Sequence, residues 1–166
     1  YREVGQEYLQ NVLNTDKKLD AYDSGRIYYY LGDYQKAYLA LEEAKGKGGV
    51  DSYLYLGKAY AATGDYNYAS SVYSNYLSKQ GPDAEIYNQL GLCEMAKKDY
   101  QKALEAFQAG KQIEGNSLMQ TLSFNEIVAY EYLQDYQKAA VLLKAYLQNY
   151  PDDQAAIREQ QFLSTR

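Results

Sequence analysis

The sequence predicts an all-α fold: a right-handed α-solenoid of about four antiparallel helical hairpins, with a further helix at each end. Three observations lead there. The frame Asp-Tyr-x-x-Ala occurs four times, beginning at Asp33, Asp65, Asp99 and Asp135, and successive copies lie 32, 34 and 36 residues apart. Self-similarity at such a period marks a stacked array rather than a globule with one centre. Each frame also lies between two stretches whose apolar residues recur at three- and four-residue spacing, the period of a helix. Finally, only 2 of the 166 residues are proline, so little interrupts a helix from within. One hairpin cannot bury both of its faces, so successive hairpins must stack.

The elements follow in chain order, within one domain spanning 1–166. Residues 1–16 carry an N-terminal helix, apolar at Val4, Tyr8, Val12 and Leu9 or Leu13. It reads as a cap or as the second helix of a further repeat. Repeat 1 is 17–49: Gly25 and Tyr28 face inward, Gly32-Asp33 turns the chain, and Ala37, Leu41 and Ala44 carry the second helix. Gly suits the left-handed end of a helix, and Asp accepts the free amides at the start of the next. Gly46, Gly48 and Gly49 then end that helix. Repeat 2 is 50–83, with Tyr53, Leu56, Gly57 and Tyr60 on one face, the turn at Gly64-Asp65, and Ala69, Tyr73 and Tyr76 or Leu77 beyond it. Gly81-Pro82 closes it, with Pro expected where the next helix begins.

Repeat 3 is 84–117: Tyr87, Leu90 and Gly91, the turn at Lys98-Asp99, then Ala103, Phe107 and Gly110. Repeat 4 is 118–151: Ile127 and Tyr130, the turn at Gln134-Asp135, then Ala139, Leu143 and Tyr146, with Pro151 at the close. Residues 152–166 read as a C-terminal capping helix, apolar at Ala155, Ala156, Ile157, Phe162 and Leu163 and otherwise rich in Gln and Glu.

The pattern resembles the tetratricopeptide repeat family. The residues that carry the resemblance are Leu56-Gly57 and Leu90-Gly91 with Gly25, and the first-helix tyrosines Tyr28, Tyr60 and Tyr130. With them go Tyr34, Tyr66, Tyr100 and Tyr136 after each turn, the second-helix alanines Ala37, Ala69, Ala103 and Ala139, and Pro151. The match runs from about residue 18 to residue 151. Two departures stand out: Glu94 replaces a first-helix tyrosine, and Glu126-Ile127 replaces a large-small pair.

Composition narrows the chemistry. The chain has no histidine, which removes the commonest general base and the commonest metal ligand. Cys93 is the only cysteine, so no internal disulfide or thiolate cluster forms, and its place beside Gly91 suits a packed thiol. Gly46-Lys47-Gly48-Gly49 lacks the preceding strand of a phosphate-cradling loop and reads as a helix terminator. Glu42-Glu43 and Asp152-Asp153 read as solvated helix residues and a helix start. No catalytic residue, metal site or cofactor is expected. A net charge of −5 argues against nucleic acid as a partner, and no apolar run approaches the roughly 20 residues that span a bilayer. The start at Tyr1 and the scarcity of cysteine lean towards a bacterial extracytoplasmic or membrane-anchored setting, with the cytoplasm as the alternative. Tyrosine is unusually abundant, 22 residues against 3 phenylalanines and no tryptophan, and gives flat packing area with a polar tip.

What the resemblance implies is a non-catalytic scaffold that holds a peptide segment or partner helix in a concave groove lined by the first helix of each repeat. The groove candidates are Tyr22, Arg26, Tyr29 and Tyr30 in repeat 1, and Tyr55 and Lys58 with Leu54 and Ala62 in repeat 2. Repeats 3 and 4 offer Asn88 and Met95 with Leu92, then Phe124, Asn125 and Tyr132 with Val128 and Glu131. Arg26 and Lys58 fall at one phase, so an acidic segment or C-terminal carboxylate is expected near them. Asn88 and Asn125 offer amides to a peptide backbone. The family's clamp for acidic chaperone tails needs Lys and Asn on the first of these helices, Asn on the second, and Lys with Arg on the third. Here the places hold Tyr22 and Arg26, Tyr55, and Asn88 and Leu92. Chaperone-tail binding is therefore not expected. The alternative role is a structural segment of a longer solenoid or a self-associating subunit, that is, a homo-oligomer.

Overall fold

The computed structural model describes residues 2–15 and 18–166, which hold ten α-helices and no strand. They are α1 (Arg2–Thr15), α2 (Ala21–Leu31), α3 (Tyr34–Glu43), α4 (Val50–Ala62), α5 (Tyr66–Gln80), α6 (Ala84–Ala96), α7 (Tyr100–Lys111), α8 (Met119–Tyr132), α9 (Tyr136–Asn149) and α10 (Gln154–Leu163). The helices fall into two compact units, Tyr1–Gly81 and Pro82–Arg166. Within each unit every helix packs on the next in chain order, α1 to α5 in the first and α6 to α10 in the second, as hairpin repeats do.

The repeated Asp makes each hairpin from both sides. Its backbone N–H donates to the carbonyl five residues back: Asp33 to Tyr28, Asp65 to Tyr60, Asp99 to Glu94 and Asp135 to Tyr130, at 2.9–3.0 Å. This is the closing bond of a Schellman turn. Its carboxylate then accepts the N–H three residues on, from Lys36, Tyr68, Lys102 and Lys138, which caps the next helix. The residue before the Asp is left-handed in every copy: Gly32 at φ 83°, Gly64 at 85°, Lys98 at 64° and Gln134 at 62°. The third and fourth turns thus keep the backbone path without glycine. The Glu94 departure is harmless here because its carbonyl, not its side chain, closes the turn.

The first three hairpins then close on a glycine. A Cβ on Gly25 would meet Leu41 Cγ at 2.5 Å, one on Gly57 would meet Tyr73 Cζ at 2.3 Å, and one on Gly91 would meet Phe107 Cε1 at 2.3 Å. The partner always lies four residues beyond the fully buried Ala37, Ala69 or Ala103, so alanine and its large neighbour share one face of the second helix. In the fourth hairpin Ile127 takes the glycine place, opposite Leu143. Both join a core with Ala139, Tyr146, Ala156 and Leu163. The other departure, Glu126, is buried but answered: Lys111 donates to it at 2.5 Å and Gln108 at 2.9 Å.

Pro82 stands ahead of the expected place. Asp83 is the N-cap of α6, accepting from Ile86 N–H at 3.0 Å, and the helix starts at Ala84. Proline therefore fixes the approach to the cap rather than the first helical residue. Tyrosines also pack against each other. Tyr60 lies between Tyr38 and Tyr68, with centroids 4.6 and 5.4 Å away and planes within 20°. Burial, with the neighbouring Glu42, pushes the Tyr60 hydroxyl up to about 12.

Candidate functional site

In the first unit α2 and α4 touch directly, which brings the candidates of repeats 1 and 2 together. The Arg26 guanidinium lies 5.3 Å from the ring centroids of both Tyr22 and Tyr55, a cation held between two aromatic faces. Tyr30 and Tyr55 join their hydroxyls at 2.6 Å, and Tyr29 meets both rings edge-on at 5.4–5.7 Å. Arg26 Nε is buried without a hydrogen-bond partner among the described residues. Tyr30 is 55% exposed, so this cluster reaches water through it. The charges of Arg26 and Lys58 both act on the Tyr30 hydroxyl, which places the two cations around one phenol. The hydrogen bond to Tyr55 and burial outweigh them and raise Tyr30, while burial raises Tyr22 and Tyr29. All three phenols therefore keep their protons at neutral pH. Beside Arg26 and Tyr30 a cleft of about 280 Å³ opens, walled by Leu9 of α1 and by Leu19, Asp23 and Ile27. Leu54, by contrast, points into the core at 9% exposure.

In the second unit the candidates separate into different roles. Asn125 donates to Asn88 at 2.9 Å, and Asn88 is buried. Each amide thus answers part of the other's hydrogen-bonding need. Met95 packs against the core around Phe107 and Leu122, and Phe124 packs against the core around Tyr146. Tyr132 is exposed and stacks on Tyr100 at 4.8 Å. Val128, Glu131 and Tyr132 line a cleft of about 550 Å³ with Tyr136, Glu159 and Phe162.

Among the described residues no group of three or more His, Cys, Asp or Glu side chains could hold a metal ion, and no helix is long and apolar enough to cross a membrane. Cys93 is buried, and that burial pushes its thiol up to about 11, so it stays protonated and unreactive at neutral pH.

Family models described as tetratricopeptide repeat match residues 54–117 and 124–153. The chain belongs to the tetratricopeptide repeat family. No curated protein sequence matches it. Among solved structures, the crystal structure of MamA protein is similar with a TM-score of 0.75 at 21% identity, covering 86% of this chain and 78% of that one. MamA 41-end from Desulfovibrio magneticus RS-1 gives 0.71 at 20% identity, covering 92% and 88%. The second TPR domain of the human RPAP3 protein, in complex with the HSP70 peptide SGPTIEEVD, gives 0.59 at 15% identity, covering 66% and 90%. At these identities the likeness is one of fold.

Membership of the tetratricopeptide repeat family supports a protein–protein interaction scaffold as the general class of function, a class that is typically non-catalytic. Within that class, sequence reasoning passed over Tyr136, Glu159 and Phe162. The last two belong to a helix read only as a polar cap. Val128, Glu131 and Tyr132 are legible as groove candidates; the trace of the opposite wall is Glu159 and Phe162 at i, i+3, which share a helix face.

Proposed function

We propose that the chain holds a peptide segment or a partner helix against the face lined by its first helices, with Tyr22, Arg26, Tyr29, Tyr30, Tyr55 and Lys58 forming the contact surface in the first unit. The observation that carries this reading is the Arg26 guanidinium held between Tyr22 and Tyr55, with Nε unpartnered and Tyr30 open to water. Rigid tyrosines supply contact area at low entropy cost, and a preorganised guanidinium supplies a directed charge. A segment bearing an acidic side chain or a C-terminal carboxylate matches that surface. The peptide bound to the RPAP3 domain supports peptide capture as a mode open to this fold. Of the second unit's candidates, Tyr132 is the one most open to a contact of that unit's own, since Asn88 is buried against Asn125 and Met95 and Phe124 pack against cores.

The test is a titration of unstructured acidic peptides with free C-termini, read by fluorescence anisotropy at low and high salt, on the parent and on Arg26→Glu. Affinity should fall with salt and fall again in the variant. Affinity indifferent to both would remove Arg26 from the site.

A second reading, assembly with further copies, is favoured by one observation. On α1, Val4 and Tyr8 lie side by side at i, i+4 and are 69% and 68% exposed. A molar mass that rises with concentration, and stops rising in Val4→Asp/Tyr8→Asp, would support it.

A further inference from the structure

Resting on the scaffold reading above, we propose that the cleft between α8, the start of α9 and α10 receives the guanidinium of an arginine side chain presented by a partner polypeptide. The cleft lies wholly within the second unit. At about 550 Å³ it falls in the range of roughly 300–1,000 Å³ typical of ligand sites. Its walls are three aromatic rings, Tyr132, Tyr136 and Phe162, and its polar groups include two carboxyls, Glu131 and Glu159.

The carboxyls lack what carboxyls usually have. Neither forms an ion pair among the described residues. Glu131 Oε1 is shut off from solvent with no hydrogen-bond partner. The two groups share the wall of one cleft, and two carboxylates so placed disfavour each other's ionisation. Burial and the charge of Glu159 together push Glu131 up to about 7. The cleft therefore presents two carboxyls, one with a buried unanswered oxygen, at a place where a cation would satisfy both. Around Glu131 stand Tyr132 on the same helix, Tyr136 from α9, Glu159 from α10 and Arg166 beyond it, with Tyr100 of α7 stacked on Tyr132.

The rings select which cation. The guanidinium of Arg166 already lies 4.6 Å from the Phe162 centroid and 5.7 Å from that of Tyr136. Two of the three walls are thus shown to accept a guanidinium on their faces, and the cleft volume remains with Arg166 in place. A planar guanidinium both stacks on a ring and forms paired hydrogen bonds to carboxylate oxygens. A lysine ammonium does neither as well. The chain's net charge of −5 also favours the approach of a basic segment.

The test uses the full chain and two blocked tripeptides, N-acetyl-Gly-Arg-Gly-amide and its citrulline counterpart, which keeps the shape and loses the charge. Binding is read from the backbone amide shifts of Glu131, Tyr132 and Glu159 by NMR. The arginine peptide should shift all three. The citrulline peptide, and the arginine peptide on Glu131→Gln/Glu159→Gln, should bind about tenfold more weakly or less. Equal binding of the two peptides to the parent, or no shift with arginine, overturns the proposal whatever the variant's folding. Failure of the arginine peptide while acidic peptides still bind through Arg26 removes this cleft alone. Failure of both removes the scaffold reading as well.

Discussion

Gly57 lies beneath the ring of Tyr73, so close that a single added methyl would come within 2.3 Å of Tyr73 Cζ. The ring is fully buried and donates its hydroxyl to Leu54 C=O at 3.5 Å, so it has little room to retreat. Gly57→Ala should therefore destabilise the chain by about 1–3 kcal/mol through overpacking, despite the better helix propensity of alanine. Removing the ring in Gly57→Ala/Tyr73→Leu should cost less than the two single changes together. Denaturant midpoints around this cycle check the coupling; strict additivity would refute the contact. Ala69→Phe and Ala103→Phe enlarge the neighbouring fully buried sites and should cost a similar amount.

Lys98 and Gln134 occupy the left-handed backbone that Gly32 and Gly64 hold in the first two hairpins. An L side chain is disfavoured there by about 1–2 kcal/mol, partly offset by glycine's greater freedom in the unfolded chain. Lys98→Gly and Gln134→Gly should each raise the melting temperature, with a gain of about 0.5–1 kcal/mol. The same substitution at Lys97, in the right-handed region one residue earlier, should lower it.

Glu126 is buried and takes hydrogen bonds from Lys111 and Gln108. Truncation to alanine leaves a mostly shielded ammonium without its counter-charge. Chemical unfolding of Glu126→Ala should show a loss of about 1–3 kcal/mol. Glu126→Leu/Lys111→Met, which removes both charges, should recover most of it. A Glu126→Ala protein as stable as the parent would mean the pair carries no weight.

Glu131 also sets a dependence on pH. Its folded value of about 7 lies above the ordinary 4.5, so between these values the folded chain keeps a proton that the unfolded chain has released. Stability must then fall as pH rises from about 4.5 to about 7, level off above about 7, and gain nothing further below about 4.5. Glu131→Gln should flatten this slope. Thermal unfolding of parent and variant across pH 4–8 measures the difference directly.

Much of the fold could be read from the residues, because a hairpin is a local device. The Asp frame, the glycine eight residues before it and the alanine four residues after it all act within one turn and its two helices. Period and spacing therefore reveal them. The interaction between Glu126 and Lys111 could not be read, since it joins two helices at a spacing no helical period enforces. Asn88 and Asn125 share the expected phase, yet their pairing at 2.9 Å depends on how closely α6 and α8 approach, which phase does not encode. The acidic cleft stayed hidden for a related reason. Glu159 and Phe162 lie on a helix whose polar composition suggests solvent, and only packing turns that face towards Glu131.

The doubly used Asp has a consequence for how such a chain can change length. From the glycine or Ile127 eight residues ahead of it to the large side chain eight residues beyond it, the span is the same in all four hairpins. The unequal steps of 32, 34 and 36 residues are absorbed between that side chain and the next hairpin's glycine or Ile127, chiefly in the later second helix and the junction that follows. Growth and loss are thus confined to one side of each hairpin. A foreign segment spliced at 45–49 or 112–117 leaves every capped turn intact, whereas one inserted at 32–33 or 134–135 severs both of the bonds that a single residue makes.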